Sequence, residues 1–205
     1  MSKNFDYSSN YVTNDVEKNL KTAKKIGEGH NGVVFLFKDG RTIKFFRRRD
    51  AWKDESYILK KVEGSKYFPK VKEVGDNYIV REYVEGERLD KYLKTHQMDK
   101  RLAATLYEMI CEFEKLKFRR LDIRCKDIFY DEKKGTIKII DPKGNYSKKV
   151  SYPRHLMKGL FKRDALKIFL NFVNSIDNKK ASTWEFKIRA YLKSKEKEAT
   201  IDSKN

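Results

Sequence analysis

The sequence predicts an α+β chain in two parts, and two observations predict it. Residues 24–84 carry β-branched and aromatic runs broken by tight turns, with a single helical interval among them. Past Gly86 the period changes, and apolar residues recur at helical spacing around one inserted hairpin. Strands gathered in one part and helices in the other are the pattern of α+β chains.

The elements follow in order. Residues 1–18 are rich in Ser, Asn and Asp and predict a flexible N-terminal arm. "IGEGHNGVVFLF" and "RTIKFF" read as strands joined by tight turns, one of them at Lys38–Gly40. "DAWKDESYILKKV" spaces Trp52, Ser56, Tyr57, Leu59 and Val62 as a short helix does. Two further strands flank the turn at Gly75–Asp76. In the second part Leu102, Leu106, Met109, Ile110, Phe113 and Leu116 make one face of an amphipathic helix. A hairpin turned at Lys134–Gly135 follows, then a helix over "LFKRDALKIFLNFV". Ser182 with Glu185 reads as a capping box opening a last helix that carries Trp184, Ile188 and Leu192 on one face. The expected division is an arm at 1–18, a strand-rich lobe at 19–84 and a helix-rich lobe at 85–205.

Composition narrows the chemistry. The 205 residues are 39% hydrophobic and 38% charged, with a net charge of +18. An acidic protein surface, nucleic acid or nucleotide phosphates would all be drawn to such a chain. No RNA-binding motif accompanies the charge, and scattered lysines also serve simply to solvate a surface. Cys111 and Cys125 make neither a disulfide framework nor a metal site, and His30, His96 and His155 lack ligand spacing. No run reaches membrane-helix length and no apolar signal core opens the chain, so a cytoplasmic setting without a membrane partner is expected.

Five elements carry candidate chemistry. Gly27, Gly29 and Gly32, with Val34, form G-x-G-x-x-G-x-V between two strands. Backbone without side chains can approach phosphates and meet them with its amides, although a bulged hairpin alone would also use glycines here. Lys44 lies 12 residues past Gly32 among apolar neighbours on a strand. A lysine facing inward there requires an anion, and Glu55 on the next helix can supply it; an outward lysine on an edge strand is the alternative. Asp122 precedes Asp127 by 5 residues and Asp141 by 19, the last at the end of the apolar run Ile137, Ile139, Ile140. Aspartates at strand ends are also common turn formers.

In this order the elements resemble the protein kinase superfamily over roughly residues 24–145, specifically a small atypical bacterial-type serine/threonine kinase. The resemblance implies a two-lobed kinase-like fold with a shortened helical second lobe. It implies that Ile26, Gly27, Glu28, Gly29, His30, Asn31, Gly32 and Val34 cover ATP. Lys44 would hold the α and β phosphates while paired with Glu55. The Glu82 carbonyl and Val84 amide would face adenine. Asp122 would be the catalytic aspartate toward a Ser/Thr hydroxyl of a protein substrate, with Arg124 on the transferring phosphate. Asp127 and Asp141 would hold Mg²⁺. A small-molecule phosphotransferase and a nucleotide-binding pseudokinase are the alternatives.

The sequence departs from that pattern in places. "HRD" reads Arg120-Leu121-Asp122, and "DFG" reads Asp141-Pro142-Lys143-Gly144. Arg81 stands where the adenine pocket is normally bordered. Only 64 residues follow Asp141 with no A-P-E segment, so a reduced peptide-docking platform is expected.

Overall fold

A computed structural model describes residues 12–202, without the side chains of 197–202. The chain is α+β, with an antiparallel sheet and several helices. It divides into two compact units. The first comprises residues up to Glu85 together with Lys138–Gly144, and the second Gly86–Ile137 with the residues from Asn145 onward.

The first unit opens with α1 (Asn14–Leu20). The sequence places residues 14–18 in a flexible arm, whereas they fold as part of this helix; residues 1–11 of that arm lie outside the described residues. Thr13 caps α1, its hydroxyl accepting from the Val16 amide, and Asp15 and Glu17 sit in the first turn where the helix dipole favours negative charge. Tertiary packing completes the case. Val16 is fully buried in a cluster with Phe37, Ile43, Phe45, Tyr78 and Val80.

That cluster is one face of a five-stranded sheet in the order β1-β2-β3-β5-β4, made of β1 (Lys24–Gly29), β2 (Gly32–Leu36), β3 (Arg41–Phe46), β4 (Val71–Gly75) and β5 (Tyr78–Glu82). β3 is central, and its last five residues are all buried. Successive side chains alternate between faces, so Ile43 and Phe45 meet α1 while Lys44 points the opposite way. There it finds α2 (Arg49–Lys61), whose buried positions are Glu55, Ile58 and Leu59. A helix on each face explains why β3 is buried without a break from Thr42 to Phe46.

The second unit begins with β6 (Glu87–Arg88) and α3 (Leu89–Thr95), a short helix the periodicity does not reveal. α4 (Lys100–Lys115) follows, with Asp99 capping it through the Leu102 amide at 2.7 Å. β7 (Ile128–Asp131) and β8 (Thr136–Ile139) form the expected hairpin, in a three-stranded sheet ordered β6-β7-β8. The division between the units falls inside β8.

The helix expected over "LFKRDALKIFLNFV" is two. α5 (Arg154–Phe161) stops, a turn with Asp164 at φ 56° intervenes, and α6 (Leu166–Ile176) starts anew. The capping box expected at Ser182 is also displaced. α7 (Asn178–Asp202) begins four residues earlier, with the Asp177 carboxylate accepting from the Lys180 amide at 2.8 Å. Phe169 and Trp184 stack at 6.3 Å between α6 and α7 in the core of this unit.

Candidate functional site

In the first unit, strand register and helix periodicity converge on one lysine. The Lys44 ammonium lies 2.6 Å from a Glu55 carboxylate oxygen and 2.5 Å from Asp141 Oδ1. Asp141 is 97 residues away in sequence, and it belongs to the segment Lys138–Gly144 that groups with this unit. The sequence division had put it with the second part. Asp141 has φ 53°, in the left-handed region that Asp tolerates better than most residues. Two contacts hold its segment: the Gly144 amide donates to Asp54 on α2 at 2.8 Å, and Ile139 donates to the Tyr67 carbonyl at 2.8 Å.

Arg81 gains a partner here. Its guanidinium approaches the second Glu55 oxygen at 3.4 Å, so Glu55 stands between two buried cations. Burial pushes the Glu55 carboxyl up from its ordinary range, while Lys44 and Arg81 oppose that rise. Two cations and two carboxylates leave the cluster neutral, which permits its burial.

The glycine-rich hairpin lies in the same unit. Gly29 pairs with Gly32 across a two-residue tip, His30–Asn31, with His30 exposed. The three glycines have different physical grounds. A Cβ on Gly32 would stand 1.9 Å from the Phe45 carbonyl oxygen, so packing against β3 demands glycine there. A Cβ on Gly29 would meet nothing, and one on Gly27 would make only an ordinary 3.9 Å contact with Val34. Glu28 pairs with Lys25 and Arg47, which hold its carboxyl below the usual range; Arg47 also donates to the Gly29 carbonyl. Ile26 is exposed beside them, and Val34 pairs with Lys44 across β2 and β3. At the end of β5 the Glu82 carbonyl receives the Thr42 hydroxyl at 3.4 Å, the Glu82 carboxylate lies 2.6 Å from Lys138, and Val84 is buried.

The second unit holds a separate cluster. Its loop is pinned by backbone bonds: Arg119 and Arg120 donate to the Asn145 carbonyl, Leu121 to that of Val150, and Val150 to that of Arg119. Asp122 on this loop is sealed, with no exposed side-chain surface. Its Oδ1 accepts the His155 amide at 2.5 Å, and its Oδ2 lies 2.5 Å from the His155 ring nitrogen Nδ1. Arg154 and Arg120 approach Oδ2 at 3.6 and 3.9 Å. Sequence reasoning missed His155, because nothing local marks a histidine 33 residues from its partner.

Five residues past Asp122, both oxygens of Asp127 are held by the fork of Arg124 at 2.5 and 2.9 Å. The expected roles of these two, a metal ligand and a phosphate contact, thus meet as a bidentate ion pair. Between them Cys125 is buried, its thiol pushed up to about 12 by burial, and its Sγ donates to the Leu156 carbonyl. Gly159 on α5 is required by this contact, since a Cβ there would stand 2.4 Å from the sulfur.

Mg²⁺ takes hard oxygen ligands and commonly one or two carboxylates beside substrate phosphates. The donor set fits that cation at Asp141, whose side chain is one-third exposed. Asp127 fits only once Arg124 turns away. Among the described residues no group of three His, Cys, Asp or Glu side chains clusters for a metal, and no helix is long and apolar enough to cross a membrane.

No protein-family model matches the chain. Over 141 residues it is 26% identical to a Bacillus subtilis (strain 168) protein named "Putative serine/threonine-protein kinase YrzF". The match covers 66% of this chain and 65% of that protein, so the chain spans just under two thirds of its relative's length.

Proposed function

We propose that the chain is an ATP-dependent protein kinase of two kinase-like lobes that transfers the γ-phosphoryl group of Mg-ATP to Ser/Thr hydroxyls of a protein. One observation carries the reading: Lys44 lies between Glu55 at 2.6 Å and Asp141 at 2.5 Å. These three residues come from a strand, a helix and a distant strand end, in the order the kinase pattern requires. The similarity to a protein named as a kinase supports the same reading.

Each residue then has a physical task. Glu55 fixes the Lys44 ammonium, which turns from Asp141 to the nucleotide phosphates when these are present. The Gly27 and Gly29 positions, where the fold leaves room for a side chain, keep the hairpin backbone bare for phosphate oxygens. Glu82 and Val84 offer backbone groups to adenine. Asp141 would hold Mg²⁺, and Asp127 would offer a carboxylate in its own unit once Arg124 releases it; the cation would offset phosphate charge. Arg124 has the freedom to swing, its side chain being 41% exposed. Asp122, with the groups it holds, orients the acceptor hydroxyl. Transfer of this kind is mostly positioning and charge cancellation, with little covalent work for the protein. The charge of +18 favours an acidic acceptor protein.

The test is transfer of labelled phosphate from ATP with Mg²⁺ to dephosphorylated casein and to histone. Lys44→Ala and Asp122→Ala are expected to lose about 10²–10³-fold in rate. Equal, background-level labelling by wild type and both variants would sink the enzyme reading. A nucleotide-binding module without transfer is the second reading, favoured by the sealed Asp122 and by an Asp127 already held by Arg124. It predicts thermal stabilisation by Mg-ATP without any turnover.

A further inference from the structure

Arg81 is a buried charge that no step of the transfer touches. It stands on β5 directly opposite Thr42, two residues from Lys44 along β3. Residues opposite one another in a sheet share a face. Arg81 and Lys44 therefore point the same way, toward α2, and both reach Glu55. An arginine out of water requires an anion, and among the described residues Glu55 is the carboxylate in ion-pair contact with Arg81.

The charges do not cancel evenly across the cluster. Lys44, Arg81 and Glu55 are almost wholly buried, whereas Asp141 is one-third exposed. The buried three are two cations against one carboxylate, so one positive charge is left over. Asp141 meets that charge, with Oδ1 at 2.5 Å from the Lys44 ammonium. The two oxygens of Glu55 are divided between the cations: Oε2 receives Lys44 at 2.6 Å and Oε1 receives Arg81 at 3.4 Å. Charged N–H···O bonds close to about 2.7–2.9 Å, so the Arg81 contact has slack to shorten.

We infer that Arg81 is a positioning residue of this site, neutralising Glu55 through its far oxygen so that the charge of Lys44 stays uncancelled for an incoming phosphate. This rests on the kinase reading and specifies how Lys44 is held in place without losing its pull on the nucleotide. Without Arg81, the single charge of Glu55 answers the single charge of Lys44, and a phosphate meets a pair of no net charge. With Arg81, the phosphate meets one net positive charge, in surroundings whose low dielectric strengthens the attraction. As the ammonium turns from Asp141 to phosphate, Arg81 closes on Glu55, and the carboxylate is never buried without a cation. Arg suits that task because it keeps its charge when buried.

Arg81→Met keeps most of the side-chain length and removes the charge. Calorimetric titration of the full chain with Mg-ATP, Mg-ADP and adenosine reads the consequence. Arg81→Met is expected to weaken both phosphate-bearing ligands by about 10–100-fold, as loss of one charge-assisted contact does, and to leave adenosine within about twofold of wild type. Arg81→Lys, which keeps the charge, should restore part of that loss. Equal weakening of adenosine and Mg-ATP would mean that Arg81 supports only the fold, and would overturn the inference. Wild-type Mg-ATP affinity in Arg81→Met, beside a weakened Lys44→Ala, would overturn it and leave the kinase reading standing. Nitrogen NMR of the wild-type protein is the second arm: the Arg81 guanidinium should become more restrained when Mg-ATP binds. An unchanged or freer guanidinium would overturn the inference even if Arg81→Met failed to fold. Lys44→Ala binding Mg-ATP as tightly as wild type would remove the kinase reading, and the part of Arg81 with it.

Discussion

Lys44 in the first unit and Asp122 in the second are both buried ionic centres, yet they are built in opposite ways. Lys44 is a cation held by carboxylates, on the central strand of a sheet covered by a helix on each face. Asp122 is a carboxylate held by cations and an imidazole, on a loop pinned by backbone bonds. The partners differ as well. Arg81 and Glu55 are almost wholly buried with Lys44, with side-chain exposures of 6% and 5%. Around Asp122, Arg154 and His155 are each 34% exposed. Glu55, held between two buried cations, is locked by desolvation even though Asp141 beside Lys44 is one-third exposed, whereas a centre most of whose partners reach water, as at Asp122, can be opened. On the proposed function, the first arrangement would let Glu55 hold Lys44 toward phosphate, and the second would leave groups around Asp122 able to meet an incoming hydroxyl.

The largest expected effect tests that difference directly. Glu55→Ala strands the buried Arg81 and leaves Lys44 with Asp141 alone, and breaking such a buried pair costs about 3–5 kcal/mol. Asp122→Ala releases partners that can turn to solvent, so only about 1–3 kcal/mol is expected. Urea unfolding of both variants measures this, and equal losses would erase the distinction between a locked and an openable centre.

Glycines sharpen the comparison inside the first unit. Gly32→Ala forces a Cβ against the Phe45 carbonyl and is expected to cost about 1–3 kcal/mol, as overpacking does. Gly29→Ala meets open space, and its stability should stay within about 0.5 kcal/mol of wild type. On the proposed function, Gly29→Ala nevertheless weakens Mg-ATP binding, readable by calorimetric titration. Loss of stability at Gly29 without loss of binding would mean that its glycine serves the hairpin alone.

Val16→Ala removes two buried methyl groups from the far face of β3. At roughly 0.8 kcal/mol per buried carbon, the loss is about 1.5 kcal/mol. A thermal melt showing no change would mean that α1 is not part of the support behind Lys44.

The smallest effect belongs to the second unit and depends on pH. The Cys125 thiol is pushed up to about 12 by burial. An unfolded chain releases that proton in the ordinary thiol range, near 8.5. The contribution to stability is therefore full below the ordinary thiol range and is lost as pH rises toward 12. Alkylation by iodoacetamide at pH 8 should spare Cys125 in the folded protein; rapid labelling there would show that the α5 packing over it opens.

The parts legible in the sequence are those in which a local pattern has one physical solution. Alternation along "RTIKFF" puts Lys44 on the face opposite Ile43 and Phe45, and helical spacing puts Glu55 beside Ile58 and Leu59. Turn residues at Gly75–Asp76 and Lys134–Gly135 mark hairpins for equally local reasons. Elements fail to appear where the local signal is short or ambiguous. α1 has one fully buried residue, Val16, and α3 has seven residues in all. The break between α5 and α6 falls where Asp164 takes a left-handed backbone, which no periodicity announces.

The sequence by itself determined the segregation of strands from helices, the inward face of Lys44 and the order of the charged residues along the chain. These depend on repeats of two and of 3.6 residues, which act over a few neighbours. Only the tertiary structure decided that Asp141 joins Lys44 and Glu55, that Arg81 shares Glu55, and that His155 closes over Asp122. Those meetings span 26 to 97 residues, and their partners are chosen by which charges remain when apolar faces close and water leaves.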